Sequence, residues 1–164
     1  MCGGGFRVCI GYDIHPLERG LPLVLGGVEL AHDRGLRAHS DGDALAHAIG
    51  DALLGAMGLG DLGAHFPDSD PKLRGISSLA LLGRIRDLLM ERRARVVNVD
   101  STLILEAPRI APYVGEMRER LARALAVDAD RVSVKATTNE RLGAVGREEG
   151  IAAMAVALVE VAER

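Results

Sequence analysis

Asp13 and His15 lie two apart in the run Phe6-Arg7-Val8-Cys9-Ile10-Gly11-Tyr12-Asp13-Ile14-His15. In a strand, residues two apart share one face at about 6.6–6.8 Å, so both side chains point the same way. A carboxylate and an imidazole so placed can hold a divalent cation. His47, far along the chain, supplies a third ligand if its segment folds back onto this strand. Three nitrogen and oxygen ligands leave one tetrahedral position open, the pattern of catalytic rather than structural zinc. Alone, Asp-x-His also describes a surface ion pair, and a lone helical His is more often a satisfied core residue. The two features together raise the metal reading. Cys9 shares the parity of Asp13 and His15 but lies deeper, and reads as core.

The elements that must position these residues follow from capping and periodicity. Ser40 and Asp41 sit where an N-cap is expected, with Asp43 as the acidic half of a capping box before an Ala/Leu/Ile run. Such a helix start offers free N–H groups and the positive dipole end, which suit a phosphate. Asp43, His47 and Asp51, spaced i, i+4, i+8, form a polar stripe along it. The strand from Phe6 closes at Pro16. Leu23 to Leu30, split by Gly26-Gly27, predicts a hairpin, and His32 follows in a polar, solvated loop. Gly58 to Pro71 is a long Gly/Pro/Asp-rich loop, functional or merely mobile, in which spacing gives His65 no partner. Ser77 or Ser78 caps a covering helix to about Arg93, with Leu79, Leu82, Ile85 and Leu89 inward. Val96 to Leu105 reads as a strand, and Met117, Leu121 and Leu125 mark a helix from about Pro112 to Ala126. Val132 to Ala136 is a strand leading into Thr137-Thr138-Asn139-Glu140, which could grip phosphates or a second, oxygen-loving metal, or simply turn. Gly143 to Gly150 reads as a flexible loop. Ile151 to Ala162 allows helix or buried strand, and periodicity does not decide.

The chain has 164 residues, 48% of them hydrophobic, which fits one domain with a packed core. A net charge of -3 gives no basic footprint for nucleic acid, and 2% aromatic content without Trp argues against stacking platforms. Cys2 and Cys9 are too few for a disulfide framework, which fits a reducing cytosol. Met1 to Gly5 lacks the marks of a signal peptide, and the longest apolar run, Ile151 to Val159, is too short for a membrane span.

Several ordered blocks resemble one family. They are Gly11-Tyr12-Asp13-Ile14-His15, Gly26-Gly27-Val28, Ala38-His39-Ser40-Asp41-Gly42-Asp43 with His47, and Leu59-Gly60-Asp61. Phe66-Pro67-Asp68-Ser69-Asp70, Asn98-Val99-Asp100 and Lys135-Ala136-Thr137-Thr138 complete the set. From about Arg7 to Val159 the chain resembles the 2-C-methyl-D-erythritol 2,4-cyclodiphosphate synthase family of the non-mevalonate isoprenoid pathway.

The resemblance implies an α/β (α+β) fold, one domain over residues 1–164 with a mixed β-sheet covered by helices on one face. It implies a homotrimer packed around a central core, with each active site between neighbours and Ile151 to Ala162 a strand. Zinc falls to Asp13, His15 and His47, and a second ion, magnesium or manganese, to Glu140. Asp13, His15, His39 and Ser40 meet the substrate's phosphates and their metal. Asp61 and Gly63 meet the methylerythritol hydroxyls, with Phe66, Asp68 and Asp70 along the same loop. Leu105, Ala107, Pro108, Arg109 and Ala111, with Ala136, Thr137 and Thr138, surround cytidine, and Ala144 and Arg147 complete the substrate set. His39 and Thr138 match the positions credited with transition-state stabilisation. Ala144 stands where the family often has an aromatic residue closing a central cavity, and Tyr12 replaces a more usual Phe. The implied reaction cyclises 4-diphosphocytidyl-2-C-methyl-D-erythritol 2-phosphate and expels CMP, in the cytoplasm, with no nucleic acid or membrane partner. Two alternatives stand beside it. A zinc-dependent phosphoesterase could use Asp61 and Asp68 with the triad, and a non-catalytic trimer could bind isoprenoid diphosphates.

Overall fold

The computed structural model describes residues 5–163, so the expectations for Met1 to Gly4, Cys2 among them, fall outside the described residues. In chain order it contains β1 (Gly5–Arg19), β2 (Leu23–Leu25), β3 (Val28–Leu30), β4 (Arg34–Leu36), α1 (Ala44–Ala56), α2 (Leu62–His65) and α3 (Ser78–Glu91). There follow β5 (Ala94–Ile104), α4 (Val114–Leu125), β6 (Val132–Thr137), α5 (Gly143–Gly146) and β7 (Gly150–Val161). One sheet runs β4-β1-β7-β5-β6, and β2 and β3 form a separate hairpin. The β5–β6 pair is parallel while β1–β4, β1–β7 and β5–β7 are antiparallel, so this is one α+β domain with a mixed sheet. The hairpin turns at Gly26 and Gly27, whose φ values of 57° and 73° fit a tight turn that matches strand twist.

Three expectations need correction. Pro16 does not end the first strand. It pairs with Gly150 at the last β1–β7 rung, and Leu17 to Arg19 then pair with β4. A proline is tolerated at this change of partner because it lacks only a donor, and its carbonyl accepts the Arg37 N–H at 3.0 Å. His32 is not solvated; its side chain is largely buried and its Nδ1 lies 2.9 Å from the Arg34 carbonyl oxygen. Gly143 to Gly146, expected as loop, forms the single turn α5.

The core lies between the sheet and α1, α3 and α4. Ile85, Leu89, Met117, Leu121 and Leu125 are buried there, as their helical spacing requires. Ile151 to Val159 lies within the strand β7, between β1 and β5, and Ala153, Ala155 and Ala157 are buried. Gly11 sets how closely α1 approaches β1, since a Cβ there would fall 1.9 Å from the Ala48 carbonyl oxygen. Gly11→Ala must push away the helix turn that carries His47, and overpacking of this kind costs about 1–3 kcal/mol or more. Urea unfolding and cation titration of that variant should both show a loss.

Among the described residues, the opposite face of β1 and β7 is left exposed. On β1, Phe6, Val8, Ile10, Tyr12 and Ile14 are 43–64% exposed, and Met154 and Val156 continue the patch on β7. Among the described residues, no helix is long and apolar enough to cross a membrane.

Candidate active site

The helix carrying His47 starts later than its sequence suggests. Asp43 is the N-cap of α1, and its carboxylate accepts the Ala46 N–H at 3.1 Å. The same carboxylate accepts the Gly26 N–H at 2.9 Å and the Gly27 N–H at 2.6 Å, tying the hairpin turn to the helix start. Asp43 is therefore fully buried, off the polar stripe, and it occupies the positive end of α1 that was expected to receive a phosphate. Burial pushes its carboxyl up to about 6, against the three N–H groups that favour the charged form. Asp51, two turns along, accepts the Leu62 N–H at 2.8 Å and shares a pocket with His47. Burial also raises its carboxyl, with the Leu62 N–H opposing.

His47 closes the first turn of α1 and meets Asp13 and His15 from β1. Its Nδ1 lies 3.0 Å from Asp13 Oδ2 and 3.1 Å from His15 Nε2, and those two atoms are 2.9 Å apart. Three ligand atoms in a near-equilateral triangle suit a small cation. Around a tetrahedral ion with ligands at about 2.0–2.1 Å the ligand edges would be about 3.3 Å. Two imidazole nitrogens cannot face each other this closely through their lone pairs alone, so a proton or a metal belongs between them. Burial of Asp13 would raise its carboxyl, but the hydrogen bonds and charge of His15 and His47 outweigh it and hold it well below the usual carboxylate range. For His47, burial would lower the imidazole, yet the Asp13 hydrogen bond and the charges of Asp13, Asp43 and Asp41 raise it overall.

Proton and cation therefore compete for His47 Nδ1, with a sign that can be worked out. A histidine raised above its ordinary value of about 6.5 still holds its proton at pH 6.5, so cation affinity should rise with pH through the neutral range and level off above. Chelator competition should show up to about one proton released per cation bound at the low end of that range and none on the plateau.

The triad lies in a pocket of about 440 Å³. His39, Ser40, Gly63, Phe66 and Asp68 line it. Asp61 caps α2 by accepting the Ala64 N–H at 2.9 Å, and Asp70 accepts the Lys72 N–H at 2.9 Å. His65, which spacing left unpartnered, has its Nε2 2.8 Å from the Leu59 carbonyl oxygen. His39 Nε2 is buried with no hydrogen-bond partner among the described residues. The expected cytidine residues and the second-ion residue Glu140 lie elsewhere: Leu105, Ala107, Pro108, Arg109 and Ala111 follow β5, Ala136 and Thr137 end β6, and Thr138 and Glu140 come just after it. Thr138 Oγ1 donates to Glu140 Oε1 at 3.2 Å, and Glu106 Oε1 accepts the Asn139 and Arg141 N–H groups at 2.9 and 3.2 Å. Ala144 sits in α5 and Arg147 pairs with Glu149 at 2.7 Å. Among the described residues, the pocket walls take none of this second group.

Sequence reasoning missed Arg37, Leu73, Ile76 and Leu81 as pocket walls, and the contacts of Asp41 and Ser78 with the triad's surroundings. By sequence Asp41 and Ser78 are candidate helix caps, and no spacing rule links residues so far apart.

A family model described as the YgbB family matches residues 6–160. The chain belongs to the YgbB family. Within it, the 2-C-methyl-D-erythritol 2,4-cyclodiphosphate synthase of Syntrophobacter fumaroxidans is 55% identical over 153 residues, covering 93% of this chain and 96% of that protein. A solved IspF–CDP complex from Plasmodium falciparum superposes with a TM-score of 0.84 at 31% identity, over 98% of this chain and 99% of that one. The bifunctional IspDF of Campylobacter jejuni matches with a TM-score of 0.92 at 37% identity, over 96% of this chain and 43% of that longer one. The YgbB match thus spans both the triad and the second group of residues.

Proposed function

We propose that this YgbB-family chain is an enzyme that converts 4-diphosphocytidyl-2-C-methyl-D-erythritol 2-phosphate to 2-C-methyl-D-erythritol 2,4-cyclodiphosphate and CMP, in the isoprenoid precursor pathway. The observation that carries this reading is the convergence of Asp13, His15 and His47 within a pocket, in a chain alike over its length to synthases. In the reaction a 2-phosphate oxygen attacks the β-phosphorus, the bond from β-phosphorus to the α-phosphate oxygen breaks, and CMP leaves with that electron pair. A phosphate monoester loses its second proton near pH 6, so the nucleophile is already dianionic and needs no general base. The protein's task is alignment and charge neutralisation.

Asp13, His15 and His47 would hold a divalent cation, zinc in this reading, which supplies Lewis-acid charge neutralisation at the β-phosphate. His39 suits contact with a phosphate oxygen, because its buried Nε2 has no partner among the described residues. Ser40 stands beside it with its hydroxyl toward His47. Asp61 and Gly63 orient the methylerythritol hydroxyls, with Phe66, Asp68 and Asp70 flanking them. Leu105 to Ala111 and Ala136 to Thr138 hold cytidine, Ala144 and Arg147 complete the substrate-binding set, and Glu140 takes a second ion, magnesium or manganese. Thr138 and His39 stabilise the charge that develops on transfer.

A homotrimer completes the site. The separation of the two residue groups within one chain supports a site shared between copies, and the bare apolar face of β1 and β7 supplies a surface for them to bury. The reading treats the whole chain as one synthase domain acting in the cytoplasm. The phosphoesterase alternative shares the triad but activates water. Incubation with the cytidine diphosphate substrate separates them: a cyclic diphosphate with CMP supports the synthase, and a linear product overturns it.

A further inference from the structure

Beyond the three ligand positions, the surroundings of His47 Nε2 carry information of their own. That nitrogen, opposite the one facing Asp13 and His15, lies 2.9 Å from Ser78 Oγ and 3.0 Å from Ser40 Oγ. Either hydroxyl could accept from it or donate to it, so distance alone does not place the proton. The partners of each hydroxyl do.

Ser78 is 1% exposed and begins α3. Its hydroxyl donates to Asp41 Oδ1 in a short hydrogen bond, and its backbone N–H donates to Asp41 Oδ2 at 2.9 Å. Asp41 Oδ1 also accepts the Asp43 N–H at 3.3 Å. A carboxylate only accepts, so the Ser78 hydroxyl proton is committed to Asp41 and its lone pairs are left facing His47. The compatible imidazole carries its proton on Nε2. Ser40 differs: its Oγ accepts the Gly42 N–H at 3.2 Å, and among the described residues no carboxylate accepts its proton.

We propose that Ser78 and Asp41 are positioning residues for the cation site, a hydroxyl–carboxylate relay that fixes the His47 proton on Nε2 and so presents Nδ1 to a divalent cation. The inference rests on the reading of Asp13, His15 and His47 as cation ligands. The fork of Asp41 joins three segments: the loop before α1, the first turn of α3, and through Ser78 the ligand ring itself. α3 lacks a side-chain cap from Ser77, and Asp41 satisfies its first N–H from another part of the chain. The relay also leaves the Ser40 hydroxyl free to donate to a ligand in the pocket.

Metal-stripped protein titrated with Zn2+ against a chromogenic chelator tests this. Loss of an outer hydrogen-bond partner of a ligating histidine weakens metal binding about tenfold to a hundredfold, and Ser78→Ala should show that loss. Ser78→Thr, which keeps the hydroxyl, should restore affinity. Asp41→Asn places an amide N–H against Ser78 Oγ, turns that hydroxyl toward His47 Nε2, and should weaken binding as Ser78→Ala does. Ser77→Ala, next to Ser78 in the chain but with no side-chain cap bond to α3, should leave affinity unchanged. In the Zn2+-loaded wild type, nitrogen-15 NMR should show a His47 Nε2–H proton protected from exchange, a signal that Ser77→Ala keeps. Wild-type affinity in Ser78→Ala overturns the proposal, as does absence of that signal from the wild type. If Ser78→Ala does not fold, the NMR signal and the Asp41→Asn titration decide alone. Failure of the cation reading itself looks different: His47→Ala would then bind Zn2+ as the wild type does.

Discussion

His47→Ala should abolish stoichiometric binding of the divalent cation and lower turnover about a thousandfold, since Lewis-acid stabilisation of a phosphoryl oxygen is worth several kcal/mol and each 1.4 kcal/mol is about tenfold. His47 Nδ1 sits at 3.0–3.1 Å from both other ligand atoms, so its loss removes one corner of the triangle and leaves Asp13 and His15 as a two-point site. The fold should survive, because the ring faces the pocket and the rest of α1 is held by Ala and Leu packing. Elemental analysis of purified protein gives the cation stoichiometry, and CMP release gives the rate. Circular dichroism separates a dead site from an unfolded chain. Full stoichiometry with full turnover in the variant would refute the assignment of the ligands.

How much of this was legible in the sequence depends on whether a feature is local. The Asp13–His15 pair needs only strand alternation, and Met117, Leu121 and Leu125 need only helical spacing; both are as expected. β7 was undecidable because its Ala-rich run suits a helix, and what makes it a strand is its pairing with β1 and β5, which no local pattern records. On β1 the apolar Phe6, Val8, Ile10, Tyr12 and Ile14 line the exposed side of the sheet, opposite the parity of Cys9, Asp13 and His15. The side under α1 carries Cys9, Gly11, Asp13 and His15. A close helix and a ligand set leave that side little room for large residues, and the apolar row is free to meet another surface. Asp43 reads as part of a stripe with His47 by spacing, but two glycine N–H groups from the distant hairpin turn it inward. Ser78 reads as a cap and is a neighbour of His47 only because α3 docks against the loop before α1.

Asp43→Ala should cost stability out of proportion to one small side chain. Loss of an N-cap costs about 1 kcal/mol, typically up to 2. The Gly26 and Gly27 N–H groups would be left without their acceptor, at about 1–3 kcal/mol for each one that stays buried. Gly26 is buried and Gly27 only half-buried, so the sum with one buried N–H is about 2–5 kcal/mol, which corresponds to about 4–20 °C in melting temperature at 2–4 °C per kcal/mol for a domain of this size. The pH dependence should identify the cause. The Asp43 carboxyl is pushed up to about 6 in the folded protein, with burial the leading cause. The unfolded chain has an ordinary value of about 3.9, so the folded state holds the proton more tightly. Asp43 then adds stability below about pH 4 that is lost as pH rises through 6, by at most about 3 kcal/mol for a two-unit shift. Asp43→Asn cannot titrate and should lack this component, although its amide group must face one of the three N–H donors and weaken the clamp. Urea midpoints of wild type and Asp43→Asn compared from pH 4 to 7 should therefore draw together as pH rises, because the wild type loses the protonated-state advantage and the variant does not. Parallel pH profiles, or an Asp43→Ala variant within about 1 kcal/mol of wild type, would mean that the start of α1 is fixed by packing of its Ala and Leu face rather than by this carboxylate.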